Sequence, residues 1–191
     1  MISGNVFLSN FRAERQSIAS KTRRNQKTNG ERERIGKKPD VMGIMKRDKI
    51  DVELIYTESS RIICDNTKKD NDDVKLWRET IDGASSISAL CRPAGNQFGI
   101  AGIQIAGTEM RLNVLVKDLA GIPRYFHLDH AEIPLSPHTM HTISLIRVLL
   151  TLRNIMIVNR SLLMAALEQA SRHPPRNAKP SPTVSTPPYI K

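Results

Sequence analysis

Two β-like runs, Val41 to Lys46 and Ile50 to Glu58, flank the charged turn Arg47-Asp48-Lys49 and read as a β-hairpin. Strand side chains alternate between faces, so Val52, Leu54 and Tyr56 lead on one side to Glu58 and Ser60. Asn71, Asp72 and Asp73 then offer capping oxygens and negative charge at a helix start, and Val74, Trp77, Ile81 and Ala84 follow at helical spacing. That pattern predicts a helix over 73–90, ended by Cys91-Arg92-Pro93. Phe98 to Ile105 is apolar on both faces, as in a central strand, and Glu109 to Lys117 alternates again. Ile122 to Leu128 supplies a further strand. An amphipathic helix from His138 to Leu167, broken near Asn159, closes the series.

Helix, two strands, helix, three strands and a last helix make an α+β, mixed α/β plan built on one core. The chain of 191 residues suits a single domain, read here as 36–167, with a basic arm or first helix over 1–35. The segment 168–191 holds six of the eleven prolines and little apolar surface, the composition of a disordered tail.

Charge separates these parts. Residues 1–50 carry 13 Lys/Arg against 5 Asp/Glu, whereas residues 51–167 carry 12 against 13. A basic arm suits a phosphate-bearing partner, DNA or RNA, because neutralising phosphates releases condensed counterions. Arg23-Arg24 and Lys37-Lys38, 12 residues apart, resemble a bipartite nuclear-localisation signal. Cys64 and Cys91 stand in no paired spacing and no signal-peptide pattern opens the sequence, so an intracellular, reducing location is the expectation. Ile143 to Leu167 is interrupted by Arg147, Arg153, Asn154 and Arg160, which argues for an amphipathic helix and against a membrane span.

Candidate chemistry lies in Gly36-Lys37-Lys38-Pro39-Asp40, in Glu53 to Ser60, and in the helix containing Trp77. This arrangement resembles the PD-(D/E)xK, restriction-endonuclease-like superfamily. Residues 36–128 also resemble uncharacterised fungal families with that kind of core. Pro39-Asp40 precedes the first strand of the hairpin, and Glu58 lies near the end of the second, with 17 residues between the acids. The resemblance implies a central sheet of about five strands flanked by helices and a Mg²⁺ or Mn²⁺ ion held by Asp40 and Glu58. Two carboxylates suit such a hard cation, which polarises a phosphoryl oxygen and activates water.

The motif's lysine position is Ser60, a neutral hydroxyl, and Lys75 on the following helix is the candidate to replace it. The leading expectation is therefore a nuclease-like domain, catalytically degenerate, that binds nucleic acid through phosphates. One alternative is an active Mg²⁺-dependent nuclease using Asp40, Glu58 and Lys75. Another is a protein-interaction domain with no nucleic-acid role.

Other signals read as structural. His127 and His130 should face opposite sides of an extended strand, which argues against a metal pair. Gly99, Gly102 and Gly107 are too scattered for a phosphate loop, and neither cysteine has a histidine placed to activate it.

Overall fold

The computed structural model describes residues 10–26, 33–47, 50–93, 97–136 and 140–173. Its elements run β1 (Asn10–Ala13), α1 (Ile18–Asn25), β2 (Val41–Arg47), β3 (Ile50–Ser59), α2 (Asn66–Leu90), β4 (Gly99–Ala106), β5 (Glu109–Lys117), β6 (Pro123–Glu132) and α3 (His141–Arg172). The architecture is α+β, with a single mixed sheet in the order β1-β2-β3-β4-β5-β6. It has six strands where about five were expected. The extra one, β1, pairs antiparallel with β2 through Asn10↔Ile44 to Ala13↔Val41. Part of the segment read as an arm is thus strand and helix of the same folded unit. Asp48 and Lys49 of the expected turn, His138 and the tail beyond His173 lie outside the described residues.

Only β3 and β4 run parallel, because α2 connects them as a crossover; the other neighbours are antiparallel. α2 starts earlier than its apolar spacing predicts. Asp65, not Asn71 to Asp73, is its N-cap, accepting from Lys68 N at 2.6 Å. Of its expected stripe Ile81 and Ala84 are buried and Trp77 packs against the core, but Val74 is 44 % exposed, and the buried side extends to Leu76, Thr80, Gly83 and Ile87. Gly83 is required there, since a Cβ would come within 2.7 Å of the Tyr56 hydroxyl.

α1 and α2 pack together on one face of the sheet and α3 lies on the other. A buried carboxylate ties α1 down: Glu53 accepts from Ile18 N at 2.7 Å, Ser17 Oγ at 2.6 Å and Tyr56 Oη at 2.8 Å. Negative charge at a helix N-terminus is favourable, and three donors offset its desolvation.

α3 is continuous, with no break at Asn159. That side chain is buried and accepts from Gly99 N at 3.1 Å while donating to Gly99 O at 2.5 Å, so it completes the backbone pairing where β4 begins. Val148, Met156, Leu163, Ala166 and Leu167 are buried as well. By length and composition alone α3 is long and apolar enough to cross a membrane.

Two β-bulges change which residues share a face. Gly43 pairs with Ile55 but Ile44 pairs with Glu53, leaving Leu54 unpaired. Beyond that point the alternation reverses, so Glu53 joins Tyr56 and Glu58 toward α1 and α2, and Leu54 lines a groove with Ile55, Leu152 and Met156 of α3. The expected row of Leu54, Tyr56 and Glu58 on one face is thus corrected. In β6 the shift between Leu112 and Asn113 leaves Leu128 unpaired and brings His127 and His130 together, Nε2 to Nδ1 3.4 Å. They share a side, contrary to the extended-strand expectation.

Candidate active site around Glu58 and Lys75

The site forms where β2 begins, β3 ends and α2 crosses behind them. Glu58 pairs in parallel register with Gln104 and is 2 % exposed. Asp40 stands just before β2, next to the Val41↔Thr57 pair, and its Oδ2 accepts from Ser59 N at 2.7 Å. The hairpin thus brings the two acids side by side, and the charge on Asp40 helps hold the Glu58 carboxyl above its usual range. Burial is the larger cause of that rise, and it outweighs the pull of Lys75.

Lys75 closes the group from α2. Its Nζ lies 2.5 Å from Glu58 Oε2, with 36 % of the side chain exposed. Burial lowers its affinity for a proton, but the hydrogen bond and charge of Glu58 more than offset this, so Lys75 stays cationic above the usual lysine value. The three residues singled out from sequence therefore stand together.

Ser60 is engaged elsewhere. Its hydroxyl donates to Asp72 Oδ2 at 2.6 Å, its backbone N–H donates to Ile105 O at 2.8 Å, and Asp72 is also paired with Lys68. Ser60 fastens the end of β3 to α2 and supplies no charge to the site.

The sequence reading missed the layer behind these residues. Glu79, one turn beyond Lys75, is fully buried, and neither of its carboxyl oxygens has a hydrogen-bond partner among the described residues. Burial, then the negative charge of Glu58, raise the Glu79 pKa to about 9, while Lys37 and Lys75 oppose the shift. Lys37 completes the layer: its Nζ is buried without a hydrogen-bond partner, and desolvation lowers its pKa to about 8 against the attraction of Asp82 and Glu79. Asp82 in turn pairs with Arg23 of α1 at 2.6 Å.

No family model, curated protein or solved structure matches this chain. The chemistry must therefore be read from the residues themselves.

A signal for Glu79 was present in the sequence. Lys75, Glu79 and Asp82 recur at spacings of four and three, and on a helix those positions stack on one side. Charged residues in an apolar stripe are ordinarily assigned to solvent, and that assignment concealed them.

Glu58 Oε1 is a buried oxygen without a donor, so the acidic pair fits a hard divalent cation. Among the described residues no three His, Cys, Asp or Glu side chains converge as a metal cage. Magnesium needs no such cage, since it commonly takes one or two carboxylates and fills its shell with water and phosphate oxygens.

Proposed function

We propose that this domain is a nuclease-type phosphodiesterase that binds nucleic acid through phosphates and cleaves it with Mg²⁺ or Mn²⁺ held by Asp40 and Glu58. The observation that carries the reading is the Lys75 ammonium 2.5 Å from Glu58 Oε2, which supplies from a helix the positive charge that Ser60 lacks. A bound cation would polarise the phosphoryl oxygen and lower the pKa of the attacking water. From its place on α2, Lys75 would orient that water and stabilise charge developing on the phosphoryl group. Burial of Glu58 and Glu79 strengthens every charge interaction within the site.

The test is cleavage of duplex and single-stranded substrates with Mg²⁺ and Mn²⁺, in the wild type and in Asp40→Ala, Glu58→Ala and Lys75→Ala. Metal-dependent cleavage lost in all three variants supports the proposal; cleavage that persists in them assigns it to a contaminant or to another site.

A second reading follows from the same ion pair. If Lys75 serves only to neutralise buried Glu58, the domain is a degenerate nuclease that binds phosphates without cleaving, and Ser60's engagement with Asp72 favours that history. Salt-dependent binding with no cleavage under either metal distinguishes it.

A further inference from the structure

A cavity of about 660 Å³ opens at the far end of α2 from Lys75, between that helix, the start of β4 and the end of β5. Its size lies within the range of about 300–1,000 Å³ usual for small-molecule sites. Ile87, Phe98, Ile100 and Leu115 give it an apolar floor, while Lys117 and Arg92 line it with positive charge.

The state of Lys117 is what asks for a ligand. Its side chain is partly buried, and burial lowers its pKa. The Ser88 hydroxyl, accepting at 2.6 Å, is its hydrogen-bond partner among the described residues. The adjacent Asp118 also lines the cavity, but its carboxylate is engaged, accepting from Ala120 N and Ile122 N and pairing with Arg124 at 2.9 Å. Arg92 is exposed and makes no ion pair among the described residues. A partly buried cation with no ion pair among the described residues, beside a second cation and above an apolar floor, is complementary to an anion that carries an apolar ring.

We propose that this cavity binds a nucleoside monophosphate, its phosphate on Lys117 and Arg92 and its base against Phe98 and the aliphatic floor. The same chemistry is offered by a free nucleotide and by the 5′-phosphorylated end of a strand. The cavity shares neither acid nor lysine with the Asp40, Glu58 and Lys75 site, so it stands whether or not that site cleaves.

Calorimetric titration of the full chain with AMP tests the proposal, together with a titration by inorganic phosphate. Saturable AMP binding is expected, weakened at least tenfold in Lys117→Met and in Arg92→Ala and unchanged in Glu58→Ala. Lys117 also places a cation near the C-terminal turn of α2, so thermal unfolding of each variant accompanies the titration. No saturation at millimolar AMP overturns the proposal, as does equal affinity in folded Lys117→Met. Should that variant not fold, Arg92→Ala decides by the same criterion. Tighter binding of a 5′-phosphorylated oligonucleotide than of its unphosphorylated form, abolished in the same variants, assigns the pocket to strand ends; AMP binding without that difference assigns it to free nucleotide.

Discussion

The two faces of the sheet are built from the same strands by opposite means. On the α3 face, Met156, Leu163 and Leu167 pack as apolar contacts, and the one buried polar side chain of that helix, Asn159, meets both backbone groups of Gly99. On the α2 face, Glu58, Glu79, Asp82 and Lys37 are withdrawn from water, and three of these are only partly compensated. Burying charge is costly even when it is paired, so a fold needing only stability has no reason to place it there. The contrast sets an apolar α3 face against an α2 face of clustered, perturbed charges, which is where the proposed chemistry lies.

The largest effects should separate these roles. Asp40→Ala or Glu58→Ala is expected to lower metal-dependent cleavage on the order of a thousandfold, because a cation's contribution is several kcal/mol, and Lys75→Ala on the order of a hundredfold. Asp40→Ala should leave the urea midpoint near that of the wild type, whereas Glu58→Ala and Lys75→Ala break a buried ion pair and should lower it, so their cleavage is compared per folded molecule. A variant that loses cleavage only because it unfolds would collapse the distinction between the faces.

Leu163→Ala should do the reverse, costing about 2–5 kcal/mol in urea denaturation through its cavity while leaving the residual folded protein's cleavage rate unchanged. Asn159→Ala leaves Gly99 N–H and C=O without their partner and should cost about 1–3 kcal/mol. A negligible loss in either would show that α3 is not the stabilising layer.

The pH dependence sharpens the comparison further. Glu79 is raised from 4.5 to about 9, so its contribution to stability is complete below about 4.5 and is lost as pH rises through about 9. Lys37, lowered from 10.5 to about 8, contributes fully above 10.5 and loses that contribution as pH falls through about 8. Between about pH 5 and 8 Glu79 therefore dominates of the two, and the melting temperature of the wild type should fall across this window. Glu79→Gln should flatten the fall, while Asn159→Ala should shift the curve without changing its slope.

The smallest effect concerns binding of phosphates. Deleting residues 1–35 is not a clean test, because β1 and α1 lie within that segment. Replacing exposed Arg15 and Lys38 by Gln should weaken nucleic-acid binding and reduce its log–log salt slope by about 1 for each phosphate no longer neutralised, with unfolding unaffected.

Much of this molecule could be read along the chain. The hairpin, α2, β4, β5, β6 and α3 follow from periodicity and breakers, and that Asp40, Glu58 and Lys75 come near one another was expected from their order along the chain. β1 was missed because four residues in a basic segment carry too little pattern to register as a strand. Glu79 and Lys37 were missed because a charge at a core position looks like surface until its neighbours are known.

Local elements and the residue types available to the site follow from the amino-acid order alone, since backbone periodicity, capping and turn chemistry act over a few residues. Which of those residues meet is settled by tertiary packing. Bulges at Leu54 and Leu128 reversed the strand alternation, Asp72 took the Ser60 hydroxyl, and α2 carried Lys75 to Glu58 across 16 intervening residues. Those outcomes depend on register and on packing between distant segments, which no short window of sequence contains.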